Sequence, residues 1–171
     1  MSTNISMRVA DEPHVDCRMN SIRGSCHCDN IRYQFIRPDF DPESGATLPV
    51  RSCTCTFCIK HGGVYTSHPE GMLTVQIVDE SLVQWYEFGT QTAKFYICRQ
   101  CGVFSFVTSM IDGNVYAVVN VNTFDNVDHV ELSPTLTDFD GECVEARLVR
   151  RQETWISNVE ITESFMMTTH Q

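Results

Sequence analysis

The sequence has no long apolar run and no apolar segment near its start. Although 42% of its 171 residues are hydrophobic, no stretch approaches the roughly 20 consecutive apolar residues that a transmembrane helix requires. The first 25 residues instead carry charged side chains such as Asp11, Glu12 and Arg18, unlike the apolar core of a secretory signal. We therefore expect a cytoplasmic protein without a membrane partner.

Basic residues are also scarce. Lys and Arg total 12 against 22 Asp and Glu, which gives a formal net charge of -10, and the longest basic run is the pair Arg150-Arg151. Because such a surface repels phosphate backbones, we expect no nucleic-acid partner. The sequence also lacks a Gly-rich phosphate loop, a nucleophile elbow and a paired-carboxylate motif. Cysteine is therefore the main candidate for a reactive or metal-binding residue.

Cysteine is abundant, with nine in the chain. A reducing compartment disfavours structural disulfides and favours metal binding or catalysis by cysteine. Cys17 and Cys143 have no Cys or His at ligand spacing, and we assign them no role. The other seven fall into three groups: Cys26-His27-Cys28, Cys53-Thr54-Cys55-Thr56-Phe57-Cys58 and Cys98-Arg99-Gln100-Cys101-Gly102.

Short apolar runs separated by turn residues predict a mainly β fold. Ile31, Tyr33 and Phe35 alternate with polar residues, the period expected of a half-buried strand. Since the connections between successive runs are only a few residues long, neighbouring strands must mostly pair antiparallel. Further strands are predicted over residues 72–78, 82–88, 93–98, 103–108, 115–121 and 144–151, the last at a sheet edge.

The remaining segments set the domain organisation. Residues 1–21 are polar and unpatterned, and we interpret them as an N-terminal arm, with residues 22–171 as a single β domain that carries all three cysteine groups. The prolines between Pro38 and Pro49 predict a long loop. No helix longer than a single turn is expected.

The spacing of the cysteine groups is that of zinc ligands. In a C-x-x-C pair both sulfurs can face one ion, and a following glycine such as Gly102 permits the tight turn. Structural zinc takes four protein ligands, whereas catalytic zinc takes three and keeps one position open. The simplest partition of seven thiolates is a closed site and an open site, formed respectively by Cys26, Cys28, Cys98 and Cys101 and by Cys53, Cys55 and Cys58.

Other interpretations of these cysteines stay open. A rival partition joins the last two cysteines of the middle group to the third group and leaves Cys26, Cys28 and Cys53 over. The thiols can instead be buried hydrophobes, as free cysteines often are, or hold an iron–sulfur cluster, although no local run of four cysteines is present. The continuous C-x-C-x-x-C group favours the first partition, because it is preorganised to hold one ion by itself.

An open site of three thiolates favours chemistry on sulfur. Three negative charges overcompensate a dication and weaken its power to acidify a bound water. An incoming thiol would complete a sulfur-only tetrahedron and be held as the thiolate at neutral pH. The spacing therefore predicts a reaction of a thiol or of a thiol adduct.

The motifs resemble those of the glutathione-dependent formaldehyde-activating enzyme family, which shares its domain with centromere protein V and has an Mss4-like β fold. The resemblance covers about residues 22 to 130, and Asp29 stands where the family usually has Gly. It implies a structural zinc on the first and third cysteine groups and a catalytic zinc on the middle group. The matching stretches are residues 24–28, 31–33, 53–60 with Gly62, 98–102 and 119–125.

The resemblance also implies an activity. It is that of a zinc-dependent carbon–sulfur lyase acting on a glutathione or other thiol adduct, related to S-(hydroxymethyl)glutathione synthase, in detoxification or secondary metabolism. The expected cofactors are two zinc ions, with glutathione as substrate or co-substrate and Cys53, Cys55 and Cys58 as the catalytic set. The alternative is a non-catalytic zinc-binding interaction module in which both metals are structural, and a redox-sensing thiol protein ranks last.

Residues beside the middle cysteine group complete the predicted site. Lys60 and His61 closely follow Cys58, and we expect them to border the open site and bind a substrate carboxylate or move a proton. An exposed polar loop is the alternative for both. Tyr65 and His68 follow on a segment that leads away from the site.

Overall fold

The computed structural model describes residues 21–41, 44–45, 47–125 and 130–163. Within these ranges the chain forms eleven β-strands and two α-helices. The helices are α1 (Thr56–His61) and α2 (Val144–Thr154). The strands are β1 (Ser21–Ser25), β2 (Ile31–Ile36), β3 (Leu48–Cys53), β4 (Val64–Thr66), β5 (Met72–Ile77), β6 (Val83–Tyr86), β7 (Lys94–Cys98), β8 (Phe104–Ile111), β9 (Asn114–Asn120), β10 (Leu132–Thr137) and β11 (Asn158–Glu163).

The strands form two sheets, so the predicted mainly β fold is confirmed. One sheet has the order β1-β2-β5-β11 and the other the order β10-β3-β4-β9-β8-β7-β6. Neighbouring strands are antiparallel except in the pairs β10 with β3 and β11 with β5. Both parallel pairs join a late strand to a distant earlier one, because a parallel partner cannot be reached by a short turn.

The main hydrophobic core contains side chains from both sheets. Phe35 and Leu73 of the four-stranded sheet and Phe106 and Val119 of the seven-stranded sheet belong to one buried cluster. Successive residues of a strand face opposite sides, and Val107 and Val118 accordingly belong to a second buried cluster on the other face of the seven-stranded sheet. Helix α2 covers that second face, since Trp155 at its C-terminal end is part of the same cluster.

The predicted edge strand over residues 144–151 is wrong, because this segment is helix α2. The alternation of Val144, Ala146 and Leu148 suggested a strand, yet Val144 and Ala146 are exposed. The buried position of the segment is Arg151, and Trp155, the C-cap four residues later, is also buried. A pattern search for apolar residues misses this position because an arginine occupies it.

Two further expectations need correction. The loop predicted from Pro38 to Pro49 ends earlier, because β3 begins at Leu48, whose side chain is fully buried. The expectation of no helix longer than a single turn fails at α2 and also at α1, which starts within the middle cysteine group. The five strands predicted between residues 72 and 121 are all present, with bounds that differ by at most three residues.

The predicted domain bounds fall partly outside the described part of the chain. Residues 1–20 of the predicted arm lie there, whereas Ser21 belongs to β1. The single domain over residues 22–171 stays a prediction. Neither helix of the described residues has the length and apolar character needed to cross a membrane.

Candidate functional site

The first and third cysteine groups meet at two tight turns. Cys26 and Cys28 lie in the turn between β1 and β2, where the Asp29 N–H donates to the Cys26 carbonyl at 2.9 Å. Cys98 ends β7, and Cys101 lies in the turn toward β8. That turn is closed by the Gly102 N–H, which donates to the Cys98 carbonyl at 2.9 Å with Gly102 at φ 76°. Only glycine adopts this left-handed conformation without strain.

The sulfurs of these two turns form a four-sulfur cluster, consisting of Cys26, Cys28, Cys98 and Cys101. All four Sγ atoms lie within 4.8 Å of one another, with Cys26 to Cys28 at 3.7 Å and Cys28 to Cys98 at 3.4 Å. A tetrahedral zinc with Zn–S bonds of about 2.3 Å places its sulfurs about 3.8 Å apart. The cluster therefore fits a closed zinc site.

Burial and backbone donors set the ionisation of this cluster. Burial raises the pKa of the Cys26 thiol to about 12. Burial also opposes ionisation of Cys101, but the N–H groups of Val103 and Cys28 donate to its sulfur, and its pKa falls to about 6. Such backbone donors favour the thiolate form, which is the form that binds metal.

The middle cysteine group forms a three-sulfur cluster at the start of α1. Cys53 ends β3, Cys55 is the N-cap of α1, and Cys58 lies inside the helix. The Cys55 sulfur accepts the Cys58 N–H at 3.5 Å, so the cap itself holds the loop in place. All three Sγ atoms lie within 4.8 Å of one another.

Tyr65 contacts the three-sulfur cluster from β4. Its hydroxyl lies 3.0 Å from the Cys58 Sγ, and its side chain is 7% exposed. Burial raises the pKa of Tyr65 far above its usual range, with the neighbouring Cys58 adding to the effect. The hydroxyl therefore keeps its proton and can donate it to sulfur. A hydrogen bond from Cys58 in turn lowers the pKa of Cys53 to about 6.

A cavity of about 590 Å³ opens onto the three-sulfur cluster. Its volume lies in the range of about 300 to 1,000 Å³ that is typical of small-molecule sites. All three cysteines of the middle group line it, and no member of the four-sulfur cluster does. The rest of its lining includes the aromatic residues Phe88, Phe95, Phe139 and Trp155, the arginines Arg51, Arg147, Arg150 and Arg151, and the acidic residues Asp138 and Asp140.

The other predicted site residues lie away from this cavity. Lys60 and His61 are exposed in the last turn of α1 and do not line it. The His61 ring packs on Phe57 at 4.4 Å between centroids, and the substrate role of both residues stays a prediction. The His68 Nε2 lies 3.7 Å from an Asp39 carboxylate oxygen, and His27, between the two cysteines of the first group, is exposed.

Of the two cysteines without an assigned role, only Cys143 lies among the described residues. Cys143 is exposed and is the N-cap of α2, with no hydrogen bond from its side chain to the helix. Cys17 lies outside the described residues.

The arginines of α2 are functional candidates that sequence reasoning missed. Arg147, Arg150 and Arg151 all line the cavity, although the segment was expected to be an edge strand with no role. The signal available in the sequence is the spacing: residues three and four apart share one face of a helix, and these basic side chains fit that spacing only if the segment is helical. The error in secondary structure therefore concealed the site.

Taken together, the fold and the two clusters define a class: a β protein with two groups of cysteines that can bind metal ions. The chain belongs to the glutathione-dependent formaldehyde-activating enzyme family, whose model matches residues 21–142. The expected family resemblance is thereby confirmed, and membership supports a glutathione-related activity in general. Helix α2 and strand β11 follow the matched region.

Among solved structures, the chain is similar to a Rhodobacter sphaeroides protein known from a crystal structure. The two are 23% identical, with a TM-score of 0.44. The match covers 65% of this chain and 99% of the Rhodobacter chain.

Proposed function

We propose that the protein is a zinc-dependent carbon–sulfur lyase that acts on an adduct of glutathione or of another thiol. The observation that carries this proposal is the difference between the two cysteine clusters. No member of the cluster of four lines the cavity, whereas all members of the cluster of three do. A small molecule in the cavity can thus reach the set of ligands that is one short of a tetrahedron.

The number of donors supports a different role for each cluster. Cys26, Cys28, Cys98 and Cys101 would hold a structural zinc, because four thiolates complete its tetrahedron. Cys53, Cys55 and Cys58 would hold a catalytic zinc, which would supply an open coordination position that stabilises a thiol as the thiolate.

The chain's own residues prepare the cavity for this chemistry. The Tyr65 hydroxyl lies 3.0 Å from the Cys58 sulfur and would donate a hydrogen bond to it once that sulfur is a thiolate, which fixes this ligand and draws off part of its negative charge. Phe88, Phe95 and Trp155 line the cavity and exclude water from the reacting sulfur. Excluding water strengthens each electrostatic contact inside the site.

The reaction balances without an oxidant or a reductant. In the synthetic direction the thiol sulfur forms a bond to an aldehyde carbon, and the proton lost by the thiol ends on the aldehyde oxygen. In the cleavage direction the carbon–sulfur bond breaks, the electron pair stays on sulfur, and the hydroxyl proton is released. Detoxification or secondary metabolism in the cytoplasm is the setting that we propose for this activity.

X-ray absorption at the zinc edge tests the proposal on the zinc-loaded protein. Without thiol, a site of four sulfurs and a site of three give about 3.5 sulfurs per zinc, and glutathione should raise this to about 4. Cys143→Ser, which changes an exposed cysteine outside both clusters, should respond like the wild type. A sulfur number that stays unchanged at millimolar glutathione contradicts the mechanism.

Activity gives the second readout. Cys55→Ser removes one ligand of the three-sulfur cluster, so its turnover of a panel of glutathione adducts should fall to the background rate. Turnover equal to that of Cys143→Ser would show that the middle cysteine group is not the catalytic site.

A further inference from the structure

Four arginines line the cavity, and we call this set the arginine wall. It consists of Arg51 from β3 and Arg147, Arg150 and Arg151 from α2. The chain has only 12 Lys and Arg and a net charge of -10, so a third of its basic residues line a single cavity. Such a concentration of positive charge in an acidic protein requires a reason.

Glu142 compensates part of this positive charge. It accepts two hydrogen bonds from Arg150, at 2.7 and 2.8 Å, and lies 3.5 Å from the Arg147 guanidinium. One carboxylate thus serves two of the four arginines. Asp138 and Asp140 also line the cavity, yet neither forms an ion pair with a described arginine.

The other two arginines have no carboxylate partner among the described residues. Arg51 donates to the Ser67 hydroxyl at 2.6 Å. Arg151 is 6% exposed and donates to Thr92 and to the Ser109 hydroxyl. Its Nε is buried without a hydrogen-bond partner. These neutral partners satisfy some donors but do not neutralise the charge, and Glu142 acts on Arg151 only through its electrostatic field, without a direct ion pair.

Arg151 stays charged at neutral pH despite its burial. Burial and the charges of Arg147 and Arg150 lower the pKa of Arg151 to about 10, which is still well above 7. A buried charge without a counter-charge destabilises the fold. The positive charge at the cavity therefore favours the binding of an anionic ligand from solvent.

The wall and the three-sulfur cluster face the same space. Arg51 and Cys53 are two residues apart in β3, and residues at that spacing point to the same face of a strand. Both line the cavity. A ligand whose sulfur lies at Cys53 thus extends along a surface that carries guanidinium groups.

We propose that the arginine wall binds the carboxylate groups of the thiol substrate, so that the enzyme selects anionic thiols and their adducts over neutral ones. This inference rests on the proposed function for the position of the sulfur. Planar guanidinium groups pair with carboxylates through two parallel hydrogen bonds. Since three of the four arginines lie on α2, beyond the region that matches the family, the C-terminal helix of this chain supplies most of the selectivity.

Calorimetric titration of the zinc-loaded protein with S-methylglutathione tests the wall separately from the metal. This ligand keeps both carboxylates of glutathione but has no free thiol. It should bind the wild type, and its diester, which lacks both charges, should bind at least about tenfold more weakly, as expected for charge-assisted hydrogen bonds. The affinity should also fall as salt is raised.

Two arginine variants provide the matched comparison. Arg51→Gln removes a wall charge and should weaken S-methylglutathione about tenfold. Arg32→Gln removes an exposed arginine of β2 that does not line the cavity and should bind like the wild type. Thermal unfolding of both variants shows whether they are folded, and the diester comparison on the wild type needs no variant at all.

The outcomes separate this inference from the proposed function. Equal affinity of S-methylglutathione and its diester overturns the proposed role of the arginine wall. The absence of measurable binding of S-methylglutathione to the wild type overturns it as well. Both conclusions hold even if glutathione still changes the sulfur number at zinc. Selective, salt-dependent binding of S-methylglutathione supports the wall even if glutathione leaves the zinc coordination unchanged, which would contradict only the lyase.

Discussion

At the scale of single residues, Tyr65 shows how a contact that is not local in sequence adjusts a local motif. The C-x-C-x-x-C group brings its own three sulfurs together, but the hydroxyl that touches Cys58 at 3.0 Å comes from the next strand. The spacing of the cysteines alone predicted that these three sulfurs lie together. The contact with Tyr65 depends on how β4 pairs with β3 and β9, which the sequence does not encode in any short pattern.

Replacing Tyr65 by Phe tests this contact. The change removes only the hydroxyl, so the fold should persist with a loss of about 1 kcal/mol in the free energy of unfolding. The zinc affinity of the three-sulfur cluster should fall at least about tenfold, as is common when a partner of a metal ligand is lost. Competition with a chromogenic chelator measures both sites, and the four-sulfur cluster serves as the internal control. An equal loss at both sites would contradict a specific role for Tyr65.

Asp29 makes a second prediction at this scale. It stands in the turn that carries Cys28 and has φ 60°, the left-handed conformation that suits the Gly which the resemblance leads one to expect there. Asp29→Gly should therefore raise the free energy of unfolding by about 0.5 to 1 kcal/mol. Chemical denaturation measures it.

Asp29→Ala is the matched control, because it removes the same carboxylate and its exposed contact with Arg32 at 3.8 Å but keeps a Cβ. It should be no more stable than the wild type. A stabilisation as large as that of Asp29→Gly would show that charge, and not backbone conformation, decides at this position.

At the scale of elements, α2 shows where prediction from the sequence fails and why. Its residues include strong helix formers such as Glu145, Ala146 and Leu148, but its buried residue is Arg151, and Arg147 and Arg150 are half-buried. Hydrophobic periodicity identifies a helix by the apolar stripe that faces the core. A helix that presents cations to a cavity lacks that stripe, so the same property that makes α2 a candidate for function hides it from pattern analysis.

Glu142 should make the stability of this helix depend on pH. The Arg150 guanidinium beside it lowers the pKa of the Glu142 carboxyl below its usual 4.5. The unfolded chain has the higher pKa, so the ion pair contributes stability above about pH 4.5 that is lost as pH falls through the lower, folded-state pKa. At pH 7, Glu142→Gln should cost about 1 kcal/mol.

Urea unfolding at several pH values measures this effect. The gap between wild type and Glu142→Gln should narrow as the pH is lowered from about 7 toward 3. Glu153→Gln changes an exposed glutamate of the same helix and should differ little from the wild type throughout. A gap for Glu142→Gln that is independent of pH would mean that packing, and not the ion pair, causes the loss.

At the scale of the whole molecule, the four-sulfur cluster joins the two sheets. Cys26 and Cys28 lie in the turn after β1, a strand of the four-stranded sheet. Cys98 ends β7, a strand of the seven-stranded sheet, and Cys101 lies in the turn that follows. The order of the strands in each sheet was beyond prediction, because β10 and β11 pair with partners more than 80 residues earlier in the chain. The spacing of the cysteines, in contrast, predicted which turns meet.

The position of each cluster predicts the order in which zinc is lost. The three-sulfur cluster lines an open cavity, whereas the four-sulfur cluster has Cys26 and Cys98 fully buried between the sheets. A strong chelator should therefore remove one zinc early, with the loss of the thiol response but little change in circular dichroism. The second zinc should leave much later and together with the tertiary structure, because the binding free energy of a structural zinc is folding free energy.

Cys55→Ser should lack the early phase of zinc loss and keep the late one. If both ions leave together, or if the early phase already unfolds the chain, then the middle group is a structural element as well and the cavity beside it has no open metal site.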